Sequence, residues 1–306
     1  MNICVIGGTG HIGTFLVPLL VQNGHQVTVL TSGRTPVPTG SEWQKVNVKQ
    51  GRYSPDKTWL DLVAGAGAEV LIDILGVDVP GVYGVVKKTC RHMIVCGSTW
   101  MWGSPRIVPT PPAVQGPCEF EGYARRIKEM LATKDAAKRD GIAFTGVMPP
   151  NICGPGKIPL DTAGGRDIKV HQAIKNGTPV VLPEGCNTLI GPCDASDIAA
   201  IFALAVEHRD AAADEIFNAG SDLALTASEF VETYAQIYKT KIPTPRVSWK
   251  RFLRETMPDP GANYHYREHM CPDISKTRIK LGYSPKFTPQ ATMERAVEWM
   301  YREKLL

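Results

Sequence analysis

No apolar run in this 306-residue chain approaches the ~20 residues that a membrane-spanning helix requires, so a membrane partner is not expected. No basic leader with a cleavage signal precedes the first apolar segment, which reads as a core strand. There are eight cysteines but no C-x-x-C and no paired metal-ligand spacing, which speaks against a zinc module or a dithiol redox motif. Cys4, Cys96 and Cys153 sit in apolar or glycine-rich runs, where a thiol acts as a small hydrophobe. This usage suits a reducing compartment, and a cytoplasmic protein is expected. Net charge is also small: 34 Lys and Arg against 30 Asp and Glu leave a formal +4, which permits an anionic ligand but gives no reason to expect nucleic acid. The local basic groups, Arg125, Arg126 and Lys128, then Arg246, Lys250, Arg251 and Arg254, read as solvated helix faces. There is no internal repeat and no low-complexity tail.

What is present begins at Val5-Ile6-Gly7-Gly8-Thr9-Gly10-His11-Ile12-Gly13, an apolar strand running into glycines spaced G-x-x-G-x-x-G. Backbone can approach a diphosphate closely where side chains are missing, and a helix N-terminus supplies free N–H groups and the positive end of its dipole. The context supports that reading. Ile12, Phe15, Leu16, Leu19 and Leu20 fall on one helical face, Gly24 ends the helix, and Gln26–Leu30 is the next strand. Gly7, Thr9, Gly10, His11, Ile12 and Gly13 are therefore candidate dinucleotide-binding residues. Pro18, inside this helix, removes a backbone donor and implies a tolerated kink.

Strand and helix signals then alternate. Strands are expected at Val46–Val48, Glu69–Leu75, His92–Cys96 and Ile142–Met148, with helices at Trp59–Ala64, Val82–Arg91 and Glu119–Arg139. The alternation predicts an α/β class, a doubly wound parallel sheet of the Rossmann type, with ligands beyond the carboxyl ends of its strands. Leu75, Gly76 and Pro150 then join the cofactor's surroundings. After Asn151 the chain turns glycine- and proline-rich, with a short strand at Glu215–Asn218 and helices at Asp197–Val206, Ala227–Tyr238 and Thr288–Tyr301. The expected partition is a dinucleotide-binding domain from 1–153 plus about 188–218, and a smaller irregular substrate lobe from 154–187 plus about 219–306.

Four segments, taken together, resemble the extended short-chain dehydrogenase/reductase family of NAD(P)-dependent epimerases and dehydratases. They are Gly7–Gly13; Gly97-Ser98-Thr99-Trp100-Met101-Trp102-Gly103; Pro149-Pro150-Asn151-Ile152-Cys153-Gly154-Pro155-Gly156; and Asp273-Ile274-Ser275-Lys276 through Leu281-Gly282-Tyr283. Each is weak alone; their order and spacing across nearly the whole chain make the set specific. The resemblance implies a nicotinamide cofactor, a Ser or Thr that polarises the substrate oxygen, a Tyr acid/base and a Lys four residues after it. A phenol with a pKa of about 10 is a poor base at neutral pH, and nearby positive charge favours its ionised form. Ser98 holds the hydroxyl's place, with a turn-capping serine as the alternative. Thr99, Trp100 and Asn151 are the corresponding substrate-binding candidates.

The chain departs from the family at the pair. Tyr123 lies in the right region, but four residues later stands Ile127. At about 100° per residue, Ile127 lies about 40° from Tyr123 around the helix, Arg126 about 60° to the other side, and Lys128 about 140° away. Either Arg126 supplies the charge, or a helix bulge brings Lys128 inward, or the redox apparatus is changed. The catalytic candidates are accordingly Ser98, Tyr123, Arg126 and Lys128.

Other departures bear on ligands. After the second strand NAD-preferring relatives place an acid for the ribose diol; here Thr31-Ser32-Gly33-Arg34 offers hydroxyls and a guanidinium, which favours NADP over NAD. The arginine that holds a diphosphate in nucleotide-sugar enzymes has no match in Asn187–Pro192, although Arg166, Lys169, Lys175 or Arg246 could substitute. Gly76–Met93 is short, a feature shared with an atypical branch that includes the chloroplast stem-loop-binding proteins. Asn263–His269 is polar and aromatic enough to line a pocket, and its two histidines lack a third metal ligand, so no metal is expected. These readings converge on an NAD(P)-dependent oxidoreductase or epimerase acting on a hydroxyl or ketone carbon of a small sugar, polyol or sugar derivative, as a monomer or homodimer. The alternatives are a non-catalytic dinucleotide sensor or an RNA-binding member of the atypical branch.

Overall fold

The computed structural model describes residues 1–54 and 57–306. Six strands, β1 (Asn2–Ile6), β2 (Gln26–Thr31), β3 (Asn47–Gln50), β4 (Val70–Asp73), β5 (His92–Cys96) and β6 (Ala143–Met148), join the strand Glu215–Asn218 in one sheet. The helices interleaved with or following them include α1 (Gly13–Gln22), α2 (Lys57–Ala64), α3 (Val79–Val86), α4 (Glu121–Arg139), α5 (Ile168–Lys175) and α6 (Ala195–Glu207). The seven strands all pair in parallel, running across the sheet from Glu215–Asn218 through β6, β5, β4, β1 and β2 to β3. This is the doubly wound α/β sheet that the alternation predicts. The strand order reverses between β1 and β4, and such a sheet opens its ligand crevice at that point, beyond the carboxyl ends.

Alternation along each strand feeds two cores. Ile3, Val5, Val29, Ile72 and Ile94 pack on one face with Leu16 and Leu20 of α1 and Ile198 and Phe202 of α6. Cys4, Ile6, Leu71, Met93 and Val95 face the other way, onto Val63 of α2, Val82 of α3 and Ile127 and Met130 of α4. β4, β5 and β6 are buried at every position, as parallel strands covered on both sides must be. A third core joins Leu160, Ile174 and Leu182 to Phe230, Tyr234, Phe252, Met293, Val297 and Met300. Ile274, Leu281 and Tyr283, from late in the chain, pack instead into the first core.

α1 runs on through Pro18, which the helix tolerates. Two later helices were not anticipated from the sequence. The glycine-rich stretch after Asn151 contains α5, started by the Asp167 side chain accepting from the Lys169 N–H at 2.9 Å. A second unanticipated helix starts at Pro260. Asp259 caps the helix Pro260–Arg267 by accepting from the Ala262 N–H at 2.8 Å, and Pro260 occupies the first turn, where a missing N–H costs nothing. Among the described residues no helix is long and apolar enough to cross a membrane.

Candidate active site

The glycine loop is built as its spacing implies. Gly7 turns the chain at φ +81°, a left-handed value that a side chain disfavours. A Cβ on Gly13 would meet the Gly8 carbonyl oxygen at 2.3 Å, so its absence lets α1 close on the loop. A Cβ on Gly10 would meet only the Gly7 oxygen, at 3.1 Å, and otherwise faces open space. Ile12 leads into α1 and is buried in the first core. The loop is thus an open backbone cradle at a helix start, which fits a dinucleotide diphosphate.

The remaining cofactor candidates fall into place around it, not all in the roles their types suggest. The hydroxyls of Thr9 and Thr31 bond to each other at 2.7 Å and are buried, tying the glycine loop to the end of β2. Ser32 and Arg34 are exposed beyond that end. His11 reaches across to the Pro155 carbonyl, 2.9 Å from its Nε2. Burial first, then the charge of Arg166, pushes its pKa down to about 4. Since a carbonyl only accepts, the His11 proton resides on Nε2, and its buried Nδ1 has no partner.

The loop after β4 is held from two sides. Asp73, a buried carboxylate, accepts from the Leu75 and Gly76 N–H groups at 3.0 and 2.9 Å, and desolvation raises its pKa to about 6. Arg126 donates from Nε to the Gly76 carbonyl and from Nη2 to the Leu75 carbonyl, both at 2.9 Å. Sequence reasoning missed Asp73, which reads as one residue of an apolar strand.

Ser98, Trp100, Tyr123, Arg126, Pro150 and Asn151 line one cavity of about 410 Å³, together with Arg166 and His265. Ser98, two residues beyond β5, is in extended conformation, and its hydroxyl accepts from the Trp100 N–H at 3.3 Å, starting a short 3₁₀ turn. Trp100 stacks on Phe120 (centroids 5.1 Å apart) and meets Tyr123, Tyr264 and His265 at 5.7, 4.6 and 5.0 Å. The Arg126 guanidinium lies 5.9 Å from the Tyr123 ring centre.

Two candidates are not brought into this cavity. α4 is a regular α-helix, so the bulge that Lys128 needs is absent, and Lys128 stands exposed. Turning it inward would lift Ile127 out of the second core, a cost of about 2–3 kcal/mol. Thr99, one residue past Ser98, points away; its buried hydroxyl lies 2.7 Å from Met270 Sδ and 3.4 Å from the Pro149 carbonyl.

His265 was foreseen only as part of a polar aromatic stretch. It stands on the helix Pro260–Arg267, where its Nδ1 lies 3.2 Å from Asn151 Nδ2. Burial, and secondarily Arg166, lowers its pKa to about 4. His269 accepts separately from the Leu189 N–H at 3.1 Å, and no three His, Cys, Asp or Glu gather as a metal site among the described residues. The eight cysteines are all free thiols.

A model of the NAD dependent epimerase/dehydratase family matches residues 3–83 and 82–220. The chain is 24% identical to the chloroplast stem-loop binding protein of 41 kDa b of Arabidopsis thaliana, over 94% of this chain and 75% of that one. It is also 24% identical to UDP-glucose 4-epimerase of Streptomyces lividans, over 96% and 94% of the two chains. Its fold superposes on UDP-glucose 4-epimerase of Thermotoga maritima, solved with UDP-glucose, with a TM-score of 0.75 at 18% identity and full coverage of both chains.

Proposed function

This chain belongs to the NAD dependent epimerase/dehydratase family, enzymes that work with a nicotinamide dinucleotide, and from that premise we propose the reaction its cavity serves. The reading is a reversible oxidoreduction or epimerisation at a hydroxyl or ketone carbon of a small sugar, polyol or sugar derivative. The observation that carries it is the convergence of Ser98, Tyr123 and Asn151 on one cavity at the carboxyl ends of β5 and β6. Gly7, Gly10, Gly13 and the start of α1 would hold the diphosphate, and the dinucleotide supplies hydride transfer when bound. Ser98 hydrogen-bonds the reacting oxygen. Tyr123 takes or returns its proton. Arg126 fixes the loop after β4 beside Tyr123, in place of the lysine that the helix turns to solvent.

The cofactor preference in this reading is NADP, because Ser32 and Arg34 stand exposed beyond β2 with no acid among Thr31–Arg34. The protein is assigned to the cytoplasm, as a monomer or homodimer, with the dinucleotide domain and substrate lobe divided near 153, 188 and 218. The likeness to a stem-loop binding protein supports a second, non-catalytic reading, in which a steep salt dependence of RNA affinity is expected.

The test is turnover with NAD⁺ or NADP⁺ against a panel of sugars and polyols, followed by absorbance of the reduced nicotinamide, with release of the epimer measured separately. Ser98→Ala and Tyr123→Phe should each lower kcat by about 100-fold or more while dinucleotide binding persists. Unchanged turnover in both variants sinks the assignment.

A further inference from the structure

Arg166 is a partly buried cation on the cavity wall. It donates from Nη1 to the Ile158 carbonyl and from Nη2 to the Ile152 carbonyl, both at 2.7 Å. A guanidinium has five N–H donors, so these two bonds leave capacity on the cavity side. Neutral carbonyls do not balance its charge. The acid whose field it feels, Asp161, spends Oδ1 on the Ala163 and Gly165 N–H groups and Oδ2 on that of Asp167. Among the described residues, no carboxylate forms an ion pair with Arg166. The charge is felt nearby: it contributes to the lowered pKa values of both His11 and His265.

Beside it, Asn151 is 6% exposed, and its Oδ1 is buried, without a hydrogen-bond partner, on the same cavity. With Asn151 Nδ2–H given to His265 Nδ1, the imidazole carries its proton on Nε2. The pair therefore offers one free acceptor, Asn151 Oδ1, placed to take a hydrogen bond from a ligand donor such as a hydroxyl. The stretch that holds a diphosphate in nucleotide-sugar relatives has no cation here. Its groups are occupied: Thr188 donates to the Tyr266 carbonyl at 2.5 Å, and Leu189 to His269.

We propose that Arg166 and Asn151 together make this cavity selective for a substrate with an anionic group, a carboxylate or a phosphate ester, held by the guanidinium next to a hydroxyl held by the amide. His265 is a positioning residue that fixes the Asn151 amide. The inference rests on the reading of this cavity as the substrate site.

The experiment is calorimetric titration of the dinucleotide-saturated protein with glucuronate, glucose 6-phosphate and glucose. At least one acidic probe should bind about tenfold or more tightly than glucose, as charge-assisted hydrogen bonds imply. A preference for glucuronate assigns the carboxylate; a preference for glucose 6-phosphate assigns the phosphate. Arg166→Gln should abolish the preference, and Arg166→Lys should keep part of it, with dinucleotide affinity unchanged in both. His265→Gln, which can still accept from Asn151, should retain more affinity than His265→Leu. Equal binding of glucose, no binding of either acid, or a preference that survives Arg166→Gln overturns the proposal. If Arg166→Gln loses its fold along with its carbonyl bonds, the wild-type ratio and the lysine variant decide. Failure of the wild-type protein to bind dinucleotide would instead overturn the function proposed above.

Discussion

Replacing Arg126 with methionine keeps the bulk of its stem and removes the two donors that hold the loop after β4. Those donors reach the Gly76 and Leu75 carbonyls at 2.9 Å each, while Asp73 holds the N–H groups of the same two residues. Hydrogen bonds from a charged donor contribute about 1.5–3 kcal/mol each, so the gross loss is about 3–6 kcal/mol. Much of that is returned. Leu75 is 41% exposed, and water can reach the loop once it is freed. A net of about 2 kcal/mol is a reasonable residue, and if the dinucleotide binds only the ordered loop, affinity falls by about 30-fold. Titration of dinucleotide into Arg126→Met, followed by tryptophan fluorescence or calorimetry, measures this directly. Arg126→Lys, which can restore one bond, should fall between the two. Binding within about twofold of wild type, in a variant with an unchanged melting temperature, would refute the view that Arg126 organises the cofactor crevice.

Gly13→Ala drives a Cβ to 2.3 Å from the backbone oxygen of Gly8, so loop or helix must shift. Loss of detectable dinucleotide binding is expected, with destabilisation of about 2 kcal/mol or more in urea unfolding. Arg34→Gln should cut affinity for NADP⁺ by about tenfold and leave that for NAD⁺ nearly unchanged, as parallel titrations would show. Acid should weaken the fold through His92, which is fully buried and whose pKa is pushed down to about 4 by desolvation and then by Arg209. Thr145 gives its hydroxyl proton to the Ala212 carbonyl at 2.7 Å, so it accepts from His92 Nε2, leaving Nδ1 as a buried acceptor with no partner. The folded pKa lies below the unfolded one. This contribution is therefore whole above about pH 6.5 and is lost as pH falls toward 4, by about 2 kcal/mol between pH 7 and pH 5. Urea titrations at both pH values should show a loss smaller by about 2 kcal/mol in His92→Gln than in wild type, the remainder coming from groups such as His11 and His265 whose pKa values are lowered likewise.

The parts of the site written in local sequence were readable, and those made by distant pairing were not. Three glycines at fixed spacing each answer a backbone demand, a turn, an open approach and a close packing, so the loop could be located from residue types alone. The offset of Lys128 from Tyr123 was equally plain, because helical rotation is fixed at about 100° per residue. Asp73 was hidden because a buried carboxylate bonded only to the nearby N–H groups of Leu75 and Gly76 leaves no trace in an apolar strand pattern. Thr99 was misplaced because it opens the 3₁₀ turn after Ser98, and only tertiary packing decides which residues of that turn face the cavity. The pairing of Asn151 with His265 spans 114 residues, and its helix begins at a proline that also reads as a terminator.

The stretch from Ile274 to Met300 acts as a closing piece for two bodies at once. Ile274, Leu281 and Tyr283 seal the first core, while Met293, Val297 and Met300 seal the third, against partners made much earlier in synthesis. During translation both cores therefore stay open until these residues have left the ribosome, however early the glycine loop emerges. Ribosome stalling or a nonsense codon before Ile274 would yield a chain with two unsealed apolar faces, a natural target for chaperones and proteases.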